Sequence, residues 1–243
     1  MRALLLACWL GLLSAACLAQ SPAGPTRILF IGNSLTASGD IPARLAKLAR
    51  ATGRQAEVEQ VTANGYSLED HWHDGRALAA IRKKGWDIVV LQQGTSADAE
   101  GRQQLLEFSR RFAREIRAAG ARPAISMSWP LVDRPKDFGA SIESHRRAAE
   151  AIDATLLPVG EAWLRALSRD KRVKLYGDTI HPSSLGGDLA VLTIYFALFP
   201  AGHQEFDDAY LEKIAAALEI PPRYRELFFD VATRAIDEPL GLR

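Results

Sequence analysis

Two runs of four apolar residues, Ile28-Leu29-Phe30-Ile31 and Ile88-Val89-Val90-Leu91, constrain this chain more than any other feature. Neither has a polar break, which is how a strand covered on both faces of a parallel sheet reads. Both end in small polar residues: Gly32-Asn33-Ser34 after the first, Gln92-Gln93-Gly94-Thr95-Ser96 after the second. Beyond Gly39, Ile41, Leu45, Leu48 and Ala49 recur at helical spacing, so the first segment predicts strand, sharp turn, helix. Chemistry in open α/β sheets gathers at the carboxyl ends of strands. The Ser34 hydroxyl, close to a glycine that lets the backbone turn, is therefore a candidate nucleophile. A serine that merely caps the next helix is the plainer alternative.

The same alternation runs on. Glu57 to Thr62 alternates polar and apolar and predicts a strand near a sheet edge, followed by the turn Ala63-Asn64-Gly65-Tyr66-Ser67. Ser67 is placed to cap a short helix, with Asp70 three residues on. Helical patterns at Gly75–Lys84, Gly101–Ala119 and Ser141–Asp153 separate further strands at Ile88–Leu91, Arg122–Met127 and Thr155–Val159. A helix is expected over Glu161–Ser168, an apolar helix opens at Ser183-Ser184-Leu185-Gly186, and one or two helices close the chain after Phe206. The reading is α/β: one domain, residues 26–243, with a central parallel sheet and helices on both faces.

Residues 1–19 are expected to be a signal peptide and not part of the fold. Arg2 supplies a positive start, the following stretch is apolar apart from Ser14, and Cys17-Leu18-Ala19 offers small residues before a cleavage point at Gln20. Residues 20–25 form a short linker, and the mature protein is expected to be secreted or periplasmic. Lipidation of Cys17 is the weaker alternative, since Ser14 stands where a lipobox has Leu. Both cysteines, Cys8 and Cys17, fall in the leader, which leaves the mature chain no disulfide, thiolate nucleophile or Cys-ligated metal. With 30 Lys and Arg against 29 Asp and Glu, the charge gives no reason to expect nucleic acid, and no later stretch is apolar enough to span a membrane.

Near the carboxyl end lies Gly177-Asp178-Thr179-Ile180-His181-Pro182. Asp178 and His181, three apart, can point the same way across one bend, and a carboxylate on one imidazole nitrogen leaves the other free to act as base. An Asp-turn beside a surface histidine is the ordinary alternative. His71-Trp72-His73 invites a metal reading, but residues two apart do not share a helix face, so no metal is expected.

The combination of Gly32-Asn33-Ser34-Leu35 early and Asp178-Thr179-Ile180-His181-Pro182 late resembles the SGNH/GDSL hydrolase superfamily, over about Thr26 to Phe199. The resemblance implies a flavodoxin-like α/β/α sandwich and a triad of Ser34, His181 and Asp178. It also implies an oxyanion hole built from the amides of Ser34 and Gly65, although Asn64-Gly65 is equally an ordinary turn pair. The third block departs from the usual Gly-x-Asn-Asp. Gln93, before Gly94, is expected to donate to the oxyanion as in related carbohydrate acetylesterases, with Gln92 and Ser96 as alternatives. Trp129 and Tyr66 are candidate pocket walls, with Trp72 nearby; a core role for Trp129 stands beside that.

The expected activity is a secreted serine esterase needing no cofactor and hydrolysing O-acyl or O-acetyl groups on a carbohydrate or another small polar alcohol. Lipase, lysophospholipase, thioesterase and acyltransferase chemistry on the same residues are alternatives, as is a binding protein that kept the fold.

Overall fold

The computed structural model describes residues 24–200 and 207–241; the leader and Cys17 lie outside them. β1 (Thr26–Gly32) runs into a one-turn helix, α1 (Ser34–Ala37), and then α2 (Ile41–Ala51), which leads to β2 (Ala56–Thr62). Helices α3 (Leu68–Asp74) and α4 (Arg76–Arg82) lead to β3 (Ile88–Gln92), α5 (Ala99–Ala118) to β4 (Arg122–Ser126), and α6 (Phe138–Ala151) to the short β5 (Thr155–Leu157). Helices α7 (Val159–Arg169), α8 (Ser184–Leu198), α9 (Asp208–Leu218) and α10 (Pro222–Asp237) complete the described chain.

The strands form one parallel sheet in the order β2-β1-β3-β4-β5. Winding runs outward from β1 in both directions. Because crossovers are right-handed, a change of direction puts successive helices on opposite faces. Strand alternation divides the core accordingly. Ile28, Phe30, Ile88 and Val90 face a cluster closed by α2, α7, α8, α9 and α10. Leu29, Ile31, Val89 and Leu91 face the other, closed by α3, α4, α5 and α6. Both apolar runs are thus covered twice, which gives the three-layer sandwich. β2 lies at the edge, and its exposed Glu57 and Glu59 discourage pairing with another chain. The strand expected over Thr155–Val159 ends at Leu157: Pro158 cannot donate to the ladder, and it caps α7 instead.

Every residue of helix α8 from Gly186 to Phe196 is buried, and all sides are apolar except at Asp188, which pairs with Arg44, and Thr193, which bonds back to Leu189 O. Its first turn carries the preceding loop: Ser183 accepts from Gly186 N at 3.1 Å, and Ser183 N donates to Leu175 O at 2.8 Å. A methyl group at Gly186 would overlap the Leu175 carbonyl and come within 2.7 Å of Trp163 Cζ2. Backbone cannot yield as a side-chain tip does. Gly186→Ala should therefore lower the unfolding free energy by about 1–3 kcal/mol, although Ala is intrinsically the better helix former by roughly 1 kcal/mol. Urea denaturation with an unchanged m-value is the check; equal or higher stability would show that the α7–α8 contact has slack.

Candidate active site

The order of the strands reverses between β1 and β3, and a crevice opens where they diverge at their carboxyl ends. Ser34 stands at this point as the first residue of α1. Asn33 ends β1's run in extended conformation, caps α1 by accepting from Leu35 N at 3.0 Å, and donates to Tyr66 O at 3.0 Å. One side chain thus joins the Ser34 turn to the Gly65-Tyr66 turn. Gly32 is required by crowding: an added Cβ would lie 2.6 Å from Gln92 Oε1 and 2.7 Å from Thr36 Oγ1. Gly65 has the opposite reason. A Cβ there would meet no atom within 4 Å, but a φ of +72° is one that residues with side chains rarely adopt.

His181 Nε2 lies 2.9 Å from Ser34 Oγ, and His181 Nδ1 lies 2.7 Å from Asp178 Oδ2. Asp178 Oδ1 accepts from the amides of Ile180 at 2.8 Å and His181 at 2.7 Å. Those amides, with the imidazole, bring its carboxyl down to about 2, so Asp178 is an anion at neutral pH. Gly177 N donating to His181 O at 2.8 Å, with the Tyr176–Pro182 bridge, closes the loop on itself. The pairing of an anion with Nδ1–H leaves Nε2 facing the serine as an acceptor.

The two glutamines point to opposite sides of the strand end, and both have their donors engaged. Gln92 Oε1 accepts from Asn33 N at 2.9 Å and Thr36 Oγ1 at 3.0 Å, while its Nε2 donates to Gln93 O at 2.8 Å and Ser128 Oγ at 3.2 Å. Gln93 Oε1 accepts from Leu68 N at 3.0 Å, and its Nε2 donates to Ser96 Oγ at 3.0 Å and Gly101 O at 3.2 Å. Neither has a hydrogen to spare for an oxyanion in this arrangement, contrary to the expectation for Gln93. Ser96, at a φ of +50°, spends its hydroxyl proton on Gly94 O at 3.1 Å. Each is a brace because a buried amide left unpaired is costly.

A cleft of about 780 Å³ opens beside the turn, its wall including Asn33, Gly65, Tyr66, Gln93, Thr95 and Gln104. The segment after β4 supplies the far side through Leu131, Asp133 and Lys136. Tyr66 is where the sequence suggested. Trp129 is not: it is only 3% exposed and stacks on Trp163 in the core, with its indole N–H on Ile180 O. Trp72 packs on Phe112 of α5. The two histidines beside it diverge. His71 is buried and its Nε2 pairs with Gly32 O at 2.8 Å, while His73 is exposed, 3.8 Å from Glu69. Ser67 and Asp70 form the expected capping box. The cleft wall after β4 escaped sequence reading, because nothing in Asp133 to Asp137 marks a loop that folds back over a neighbouring strand end.

No family model matches the sequence, and no curated protein matches it either. Solved structures do resemble it. A protein of Slackia heliotrinireducens assigned as an SGNH hydrolase is 26% identical, aligns over 72% of this chain and all of its own, and gives a TM-score of 0.62. A DUF4886 family protein from Bacteroides uniformis is 17% identical, covers 90% of this chain and 98% of its own, and gives 0.71. An acetyl xylan esterase from Geobacillus stearothermophilus, 14% identical over 70% of this chain and 93% of its own, gives 0.56. The fold of the chain is that of the SGNH/GDSL hydrolases. At the level of fold its neighbourhood is that of hydrolases of the esterase type.

Beneath the site lies His145, fully buried, with Nδ1 2.8 Å from Ser141 O and Nε2 accepting from Ser128 N at 3.4 Å. Burial pushes its pKa from 6.5 down to about 4. The unfolded imidazole takes a proton near pH 6.5, the folded one only near pH 4, so acid favours the unfolded chain across that window. Burial shifts His71 the same way. Unfolding free energy should therefore be complete above about pH 6.5 and fall by up to about 3 kcal/mol on the way to pH 4 for His145 alone. Asp188, whose carboxyl burial raises to about 6, moves stability the opposite way over the same window, so the readout is the difference between urea melts of the parent and of His145→Gln at stepped pH; a difference that stays constant from pH 6.5 to 4 would contradict the buried neutral imidazole.

Proposed function

We propose that the chain is an exported serine esterase that hydrolyses short acyl esters of a polyhydroxylated or otherwise polar alcohol. The observation that carries this reading is the position of His181 between Ser34 Oγ and the Asp178 carboxylate. Ser34 Oγ attacks the ester carbonyl while His181 Nε2 takes its proton. The carbonyl oxygen becomes an oxyanion. Two amides are suited to receive it: that of Ser34, in the first turn of α1 where a helix leaves its N–H groups unpaired, and that of Gly65. The imidazolium formed is stabilised by Asp178 and then protonates the departing alcohol. Water, deprotonated by His181, attacks the acyl-serine and releases the acid, restoring Ser34. Every proton moves among Ser34, His181, the substrate and water, with Asp178 ionised throughout, so the reaction as written calls for no cofactor.

The lining of the cleft supports the substrate class. Most of its lining is polar, Asn33, Ser67, Gln93, Thr95 and Gln104 included, whereas a long acyl chain would require continuous apolar wall. The acetyl xylan esterase among the structural neighbours fits that reading, and the leader-like residues 1–19 support export.

The test is Ser34→Ala in the mature chain, assayed on p-nitrophenyl acetate and octanoate. Acetate should be the better substrate, and the variant should lose at least about a thousandfold in kcat while its circular dichroism stays that of the parent. Residual activity of tens of per cent would remove Ser34 from the role, and octanoate preferred over acetate would remove the short-acyl assignment.

A further inference from the structure

We propose that Trp129 is a positioning residue for the general base: its indole N–H grips the carbonyl of Ile180, the residue before His181, and holds the imidazole at its distance from Ser34. The proposal rests on the reading of Ser34, His181 and Asp178 as the reacting set.

The need arises from where His181 sits. Its loop is exposed, with 55% of the Asp178 side chain and 33% of the His181 side chain open to solvent. The bonds within the loop, from Asp178 Oδ1 to two amides and from Gly177 N to His181 O, set its shape. They do not set its place relative to Ser34, which belongs to a different part of the chain. A general base must be placed within hydrogen-bond reach of its proton, and displacement of a reacting group by about 1 Å can cost on the order of a hundredfold.

The segment after β4 supplies that placement. Trp129 Nε1 donates to Ile180 O at 2.8 Å and Val132 N to Thr179 O at 2.9 Å, while Tyr176 OH donates back to Pro130 O at 2.8 Å. The first of these is closest to the imidazole in sequence, and its donor is the most firmly held. The Trp129 ring lies parallel to Trp163, at 3.9 Å between centroids and 10° between planes. Trp163 is fully buried in α7, and Tyr176 meets it edge-on at 4.9 Å. The buried indole nitrogen of Trp163 has no partner, so that residue contributes its ring and nothing polar. A stacked indole cannot swing, so its N–H direction is fixed from the core outward. The device converts rigid packing under the sheet into a fixed position for one carbonyl on an exposed loop.

Trp129→Phe keeps a ring on Trp163 and removes the N–H. On p-nitrophenyl acetate it should lower kcat about ten- to a hundredfold with KM within about twofold. A structural role alone would lower activity in any background. A positioning role acts through the imidazole, so in a His181→Ala background the same change should cost less than about twofold. Loss of kcat in the parent but not in that background supports the proposal. Wild-type kcat in Trp129→Phe, or equal losses in both backgrounds, overturns it. If Trp129→Phe fails to fold by circular dichroism, Tyr176→Phe loosens the same pair of segments from the other side. It should then show the same dependence on His181, and its absence overturns the proposal. Full activity in Ser34→Ala would sink the triad and this inference together, whereas an inactive Ser34→Ala beside an unaffected Trp129→Phe sinks only the inference.

Discussion

A single buried amide holds together the three strand ends from which the site is built. Gln92, at the last position of β3, uses both lone pairs of its oxygen on the Ser34 turn and both hydrogens on Gln93 O and Ser128 Oγ. In water these bonds would be exchanged for others at little net gain, but inside the protein each unmade bond leaves a polar group stranded, at a cost of about 1–3 kcal/mol. A fully satisfied amide of this kind therefore excludes other arrangements more than it adds stability. It also explains Gly32, which must be bare because the Gln92 oxygen occupies the space a side chain would need.

From that point outward the site is a set of polar braces on an apolar frame. Asn33 links the Ser34 turn to the Gly65-Tyr66 turn, Gln93 ties the start of α3 to the start of α5, and Ser128 is tied to Gln93 O and to His145. Parallel strands impose this. Their ends project bare backbone into one crevice, and each loop must find partners among its neighbours there. The Asp178–His181 loop differs in being outside the crevice and largely wet, so its electrostatics are local. Asp178 is kept ionised by two amides of its own loop and by the imidazole it orients. Its position is not local and comes from aromatic packing below.

The order of elements was legible because covalent order and burial leave few options. Unbroken apolar runs at 28–31 and 88–91 can satisfy both sheet faces only if helices cover each, and helical periodicity between them supplies those helices. Ser34, Asp178 and His181 were legible as candidates because their neighbours restrict the backbone: a strand end before Ser34, an Asp-turn around His181. Boundaries were read less well where a proline decides them, as at Pro158, and at Phe138, where the helix begins three residues before its apolar spacing shows.

What the sequence alone determined is the alternating α/β frame and the identity of the polar residues at its strand ends. What only the tertiary structure decided is their partners. Gln92 and Gln93 are adjacent and chemically identical, yet opposite sides of one strand send the first to the Ser34 turn and the second to α3 and α5. Trp129 reads equally as a pocket wall or a core residue. Its role was set by Trp163, 34 residues later, which claims its face and turns its N–H toward Ile180. A hydrogen bond is directional and short, so its partner is chosen by which loops the sheet brings within about 3 Å. That choice belongs to the strand order and is not written in any one stretch of chain.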